Sequence, residues 1–306
     1  MTSKILDFGN AFLKSVCTGD DTIDIKPSCL YYLTNSDIRN KTKGNEASPL
    51  IRTSDDRQFL LGDAAASFGG ANNWSLDSKL SVIREGLYAS SPVSQAIDLL
   101  MVCVPDASID IDLSNLLGHH SYHYNDRQIQ IDVSAIEIVD ESLGAFKSAH
   151  SHLFNYPDEN NVVITCGGGT VNLVVYNGGG NIIHRGVSKD LGMAALAKSI
   201  ATELKAQFNL STTPKVSQIM AGIASGVYNL RPHNLDYSQL FEAARSDWKG
   251  QFKQFVNDNL CDVDYCEFVV VGGGAELLKS DSITPGIHIP TNSQTYAIEG
   301  LMYEQN

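Results

Sequence analysis

Three short glycine-bearing stretches, each at the end of an apolar run, are the parts of this sequence that could do chemistry. The first is Asp7-Phe8-Gly9-Asn10, with Lys14 seven residues after Asp7. The second is Thr165-Cys166-Gly167-Gly168-Gly169-Thr170, set between two valine-rich runs. The third is Val270-Val271-Gly272-Gly273-Gly274-Ala275. A glycine turn brings backbone N–H groups up to a ligand with no Cβ in the way, and successive N–H groups form a cradle for an anion. An aspartate at a strand end can hold a hydrated Mg²⁺, and a lysine a few residues on can reach back as a point charge. The chemistry on offer is phosphate binding with phosphoryl transfer. Each turn also has an ordinary reading: a plain hairpin for the first two, a tight strand-to-helix turn for the third. The third does not meet the G-x-G-x-x-G spacing and lacks an acidic residue at the distance a dinucleotide site requires, which argues against a Rossmann oxidoreductase.

Hydrophobic periodicity supplies the elements that must position these turns. Residues 4–7 and 11–17 read as strands around the first turn, with a second turn at 18–21. The polar stretch 35–49, rich in Lys, Asn and Ser, reads as an exposed loop. Residues 57–62 read as a strand, 79–89 as a helix, 99–104 as a buried strand stopped by Pro105, and 129–138 as one strand or two. A helix is expected over 143–154, then strand, glycine turn and strand over 161–176, and a further strand over 182–187. Helices are expected over 191–208, 217–224 and 237–257, a buried strand over 268–271, a helix opening at Ala275, and a last helix over 294–303. Hairpins therefore open each half and helices follow in each, the alternation of an α/β protein.

Composition narrows the function. The chain has 306 residues, 43 % of them hydrophobic, enough for a large core in two lobes. The formal net charge is −13, from 22 Lys and Arg against 35 Asp and Glu. A surface that acidic repels nucleic-acid backbones and anionic lipid, so neither direct nucleic-acid binding nor membrane binding is expected, though a basic adaptor could be engaged. The six cysteines form no CxxC pair and no zinc spacing, as expected of reduced cytosolic thiols. Met1 to Asn10 lacks the pattern of a signal peptide, and no apolar run reaches the ~20 residues of a membrane span. A cytoplasmic protein is expected.

In this order and spacing, the three turns together resemble the motifs of the actin, sugar kinase and heat-shock ATPase superfamily, and within it the chain looks most like the plasmid-segregation actins of the ParM type. Asp7, Gly9 and Lys14 match its first phosphate motif. Gly167, Gly169 and Thr170 match the second, and Val271, Gly272, Gly273 and Gly274 the adenosine motif. Asp140-Glu141-Ser142-Leu143-Gly144-Ala145 looks like the segment that supplies the hydrolytic carboxylate. Gln58 to Ala64, Gly192 before a helix, the 223–240 stretch and Gly300 near the end fit as well. The resemblance spans nearly the whole chain.

The resemblance implies an α/β, actin-like (ribonuclease H-like) two-lobe fold of mixed sheets flanked by helices. Lobe I would be 1–142 with 290–306, lobe II 143–289, and ATP would lie in the cleft between them. Gly9, Asn10, Lys14, Gly167, Gly168, Gly169 and Thr170 would hold the phosphates, and Gly272, Gly273 and Gly274 the nucleoside. Asp7 would carry Mg²⁺ through water, and Glu141 would orient the attacking water. Glu141 has a plainer reading too, as a carboxylate at a helix start. Arg245 and Lys249, four apart, read as a solvated helix face. One position departs from the family: Thr165 stands where the second motif normally opens with Asp, which adds no charge for Mg²⁺ and implies slow hydrolysis. The implied function is a polymerising ATPase whose partners are itself, as a filament, and a DNA-binding adaptor for plasmid segregation. The alternatives are a nucleotide-stabilised filament with little hydrolysis and a small-molecule kinase of the same superfamily.

Overall fold

The structure is a computed structural model. It describes residues 2–9, 11–20, 22–39, 43–45, 48–68, 70, 81–230, 234–260, 266–281 and 286–302. The chain divides into two compact units, one of Met1–Gly144 with Ile298–Asn306, the other of Ala145–Ala297.

The first unit holds two sheets. Its strands are β1 (Ser3–Phe8), β2 (Phe12–Cys17), β3 (Asp24–Pro27), β4 (Leu30–Tyr32), β5 (Leu50–Thr53), β6 (Gln58–Leu61), β7 (Gln95–Ile97), β8 (Leu99–Val104), β9 (Gly118–Tyr124), β10 (Arg127–Val133) and β11 (Ile136–Asp140). One sheet runs β11-β8-β1-β2-β3 and the other β4-β6-β5-β9-β10-β7. In the first sheet β1, β8 and β11 are parallel while β1-β2-β3 is an antiparallel meander. Alternation along β1 gives each face its own core. Leu6 and Phe8 join Leu13, Leu100, Val102 and the tyrosines Tyr88, Tyr122 and Tyr124. Ile5 joins Val16, Met101, Cys103 and Val139 beneath Ile298 and Leu301. Tyr88 and Tyr122 stack at 4.3 Å, a geometry that adds to the area they bury.

The second unit has β12 (Asn161–Cys166), β13 (Val171–Tyr176), β14 (Ile182–Ser188), β17 (Glu267–Val271) and β18 (Ile287–His288) in the order β14-β13-β12-β17-β18, plus a small ribbon of β15 (Asn229–Leu230) and β16 (Leu235–Asp236). The pairing repeats that of the first unit: β12-β13-β14 is an antiparallel meander, and β17 and β18 lie parallel beyond β12. Helices Met193–Gln207, Val216–Ser225 and Ser238–Asn259 pack one face of this sheet. Met193, Leu196, Ala197, Ile200, Ala201 and Leu204 are buried at spacings of three and four, which is why this segment is a helix with one apolar stripe.

Several expectations shift. The 129–138 run is a pair of strands, β10 and β11. The 35–49 loop opens with a short helix, Asn35–Arg39, and residues 40–42 and 46–47 lie outside the described residues. The helix expected from 79 is described over Ile83–Ala89, residues 71–80 lying outside as well. The helix expected from Ala275 is a 3₁₀ helix that opens within the third glycine run, Gly273–Asp281. Strands β3, β4, β5, β7, β9, β15, β16 and β18 are not expected from the sequence; β3 and β9 bury Lys26 and His120 at positions where a sequence reading looks for apolar residues.

Candidate functional site

The first cluster sits at the carboxyl ends of β1, β8 and β11. Register sets Asp7 opposite both Lys14 on β2 and Cys103 on β8, and Cys103 opposite Val139 on β11, two residues before Glu141. Carboxyl ends of parallel strands are where open α/β sheets place ligands. Lys14 Nζ donates to Asp7 Oδ2 at 2.8 Å, with side chains 16 % and 15 % exposed. Burial by itself would lower the Lys14 pKa. The charge and hydrogen bond of Asp7 outweigh it, with Glu141 adding to the rise, so Lys14 is held as a cation. Burial, then the fields of Asp7 and Glu141, push the Cys103 thiol well above its ordinary value, so Cys103 stays a neutral thiol. Sequence reasoning missed Cys103, which looks like any residue of a buried strand.

Glu141 follows β11 directly, and its N–H donates to Val104 O at 2.8 Å, extending the strand pairing by one residue. Just before helix Leu143–His152, Asp140 Oδ1 accepts from both the N–H and the hydroxyl of Ser142. Among the described residues no group of three or more His, Cys, Asp or Glu could hold a metal ion. Asp7, with Glu141 close enough to act on the same lysine, still fits Mg²⁺, an ion that usually keeps several waters and takes one or two carboxylates beside substrate phosphates.

The second cluster lies in the other unit and gathers the two remaining glycine turns. In the 167–170 hairpin the Gly167 N–H donates to Thr170 O at 2.9 Å, and the 9–12 hairpin repeats this bond from Gly9 to Phe12 O at 2.9 Å. Gly9 and Gly167 thus spend their N–H groups closing their turns, which moves any donor role to the residues that follow. Asn10 lies outside the described residues.

What orients the 167–170 loop is the helix after it. Its first N–H groups are donors with no partner inside the helix. Met193 N donates to Gly167 O at 3.1 Å and Ala194 N to Gly168 O at 2.8 Å. A trans peptide sets its N–H opposite its C=O. Pinning these two carbonyls on the helix therefore turns the N–H groups of Gly168 and Gly169 the other way. Neither they nor Thr170 N has a backbone acceptor among the described residues. The packing needs Gly192: a Cβ there would stand 2.3 Å from Gly169 C and 2.6 Å from Thr170 N.

Gly272 to Gly274 adjoin this loop and divide the labour. Gly272 has φ +91°, and a Cβ on it would meet Cys166 O at 2.4 Å. Its N–H donates to Ser293 O at 2.7 Å. Gly274 packs on Cys166 and Met193. Gly273 alone faces open space, with nothing within 4 Å of an added Cβ. Arg245, read from sequence as solvated, instead donates from Nε and Nη2 to Leu277 O at 3.1 and 2.7 Å, and so anchors the 3₁₀ turn that follows these glycines. Thr165, near the end of β12 between Asn172 and Val271, has a buried hydroxyl with no hydrogen-bond partner among the described residues.

No family model matches the chain, and no curated protein matches it in sequence. Among solved structures it is similar to Ta0583, an archaeal actin homolog, at 14 % identity and TM-score 0.80 over 100 % of this chain and 99 % of that one. The complex of that homolog with ADP is similar at 15 % identity and TM-score 0.76, covering 100 % of both chains. A subunit of a 15-stranded ParM filament from Clostridium botulinum is similar at 14 % identity and TM-score 0.75, over 100 % of this chain and 99 % of that one. Likeness over the full length of both chains, with the meander repeated in each half, gives this protein the actin-like fold.

Proposed function

We propose that the chain is an actin-like protein that binds ATP, hydrolyses it slowly and polymerises into filaments, serving plasmid or other DNA segregation through an adaptor. The carrying observation is the 167–170 loop, in which the carbonyls of Gly167 and Gly168 are held by the helix so that the amides of Gly168 and Gly169 turn away from it. Such preorganised donors suit phosphates, and phosphoryl transfer asks for positioning and charge neutralisation more than for covalent chemistry. In this reading the amides of Gly168, Gly169 and Thr170 hold the phosphates, with Gly167 and Gly9 allowing close approach and Asn10 beside Gly9. Lys14 offsets phosphate charge, Asp7 holds Mg²⁺ through water, and Glu141 orients the attacking water. Gly273 gives room to the nucleoside, with Gly272 and Gly274 shaping the turn. The two units stand for the two lobes of this reading. Support for the nucleotide comes from a fold neighbour solved with ADP, and support for assembly from one solved as a ParM filament. No helix among the described residues is long and apolar enough to cross a membrane.

The test is sedimentation with ATP and Mg²⁺ alongside phosphate release. Polymer above a critical concentration in ATP, less in ADP, and slow phosphate release are expected. Monomer throughout would leave a kinase or a solitary ATPase.

Thr165 favours a second reading, a filament that nucleotide stabilises with little hydrolysis. Its neutral hydroxyl occupies the position of a metal-site carboxylate, and adds no charge to draw Mg²⁺. Thr165→Asp should lower the Mg²⁺ concentration for half-maximal phosphate release. An unmoved titration would show that this position is not part of the metal site.

A further inference from the structure

At the end of the β1–β2 hairpin away from its 9–12 turn, Lys4 stands opposite Cys17 in register. Lys4 is 2 % exposed. Its Nζ donates to Ser90 O at 2.7 Å and lies 3.9 Å from Cys17 Sγ. The Ser90 carbonyl thus holds the amine beside the sulfur, and Gln95 Oε1 lies 3.9 Å from the same sulfur. Cys17 is partly exposed, whereas Cys29, Cys103 and Cys166 are buried. A small oxidant therefore reaches the Cys17 sulfur more readily than those three, while the amine behind it stays out of water. Burial lowers the Lys4 pKa against the fields of Cys17, Asp24 and Asp20, which enlarges the share of neutral, nucleophilic amine.

We propose that Cys17 and Lys4 form a peroxide-responsive modification site, in which oxidised Cys17 is captured by Lys4 through a sulfur–nitrogen bond. In the first step the Cys17 sulfur attacks one oxygen of hydrogen peroxide. The O–O bond breaks, an S–O bond forms and the other oxygen leaves as water, so sulfur loses two electrons and becomes a sulfenic acid. In the second step the nitrogen lone pair of Lys4 forms the S–N bond. The S–O bond breaks, and the oxygen leaves as a second water with a proton from the nitrogen. Overall the protein gives up two hydrogens and one peroxide becomes two waters. Sulfenic acids condense in this way with backbone nitrogen, and here a fixed side-chain amine takes that place. The product withdraws Cys17 from the irreversible sulfinic stage, and thiols return it to the starting pair.

The test is peptide mapping by mass spectrometry after the full chain is treated with hydrogen peroxide. A linked peptide joining residue 4 to residue 17 is expected, about 2 Da lighter than its two parts together, since two hydrogens are lost. Dithiothreitol should abolish it and restore free Cys17. Lys4→Arg keeps a donor for Ser90 O but has no nucleophilic amine. Its Cys17 should be trapped when dimedone is present and should otherwise proceed to sulfinic acid that dithiothreitol does not reverse. Cys17→Ala should yield no linked peptide, and it serves as the control should Lys4→Arg fail to fold. A parent, folded by circular dichroism, whose Cys17 ends unreacted, as sulfinic acid or in a disulfide while Lys4 stays free would overturn the site. So would Cys17 in folded Lys4→Arg that oxidises and recovers as in the parent.

Discussion

Glu141 and Gly273 carry the proposed roles that a single substitution tests most directly. Glu141→Ala should bind ATP normally yet release phosphate at least about tenfold more slowly, a loss that a positioned base readily accounts for. Unchanged phosphate release in a purified, ATP-saturated assay would reduce Glu141 to a helix-end carboxylate. Gly273→Val adds its side chain to open space, so the fold should survive by circular dichroism while ATP binding is lost. Gly272→Val should do the reverse damage. Its φ of +91° and the Cys166 carbonyl 2.4 Å away make any side chain strained, at a cost of about 1–3 kcal/mol or more by denaturant unfolding. If both variants lose only binding, the division of labour drawn among these glycines is wrong.

Elements in the second unit are tied together by polar groups as much as by the core. Glu267 on β17 accepts from Tyr156 N at 2.8 Å, Asn155 Nδ2 at 2.6 Å and His288 Nε2 at 3.4 Å, joining β17 and β18 to the segment before β12. Burial would raise the Glu267 pKa, but these donors together hold it below the ordinary carboxylate value. A depressed pKa contributes stability that is present above the unfolded-state value and lost as pH falls through the folded-state one. Acid should therefore loosen this unit as pH drops below the usual carboxylate range. Glu267→Gln should flatten that acid slope in unfolding curves recorded across pH, and an identical slope would assign the acid sensitivity elsewhere. The two hairpins show the same economy: one N–H from Gly9 and one from Gly167 close turns of matching geometry in the two units.

For the whole molecule, charge and assembly are opposed. A net charge of −13 makes copies repel at low ionic strength, and the Debye length shortens to about 8 Å at physiological salt. Salt screens that long-range repulsion, while apolar and main-chain contacts between copies are little affected by it. Polymer pelleted with ATP and Mg²⁺ should therefore increase as salt rises through the physiological range. A critical concentration that rises with salt instead would mean that attraction between charges, not their repulsion, sets assembly.

The sequence by itself determined the class and most of the elements. Valine-rich runs ended by glycines can only be buried strands entering tight turns, and spacings of three and four along 193–204 can only be one face of a helix. Their order also carried the resemblance to actin-like proteins, because each turn needs its glycines for a local steric reason that survives in one dimension. Tertiary structure decided what local pattern cannot hold. Which amides of the 167–170 loop face outward depends on Met193 and Ala194, more than twenty residues on. Cys103 entered the Asp7 cluster through strand register, and Arg245 left the solvated face because Leu277 O lies within its reach. Strands β3 and β9 were missed because Lys26 and His120 take inward positions where their polar atoms find partners, Asp24 for the one, Tyr88 and Leu116 for the other. A buried polar group is acceptable only when it is satisfied, and whether a partner will be there is known only once the chain has folded.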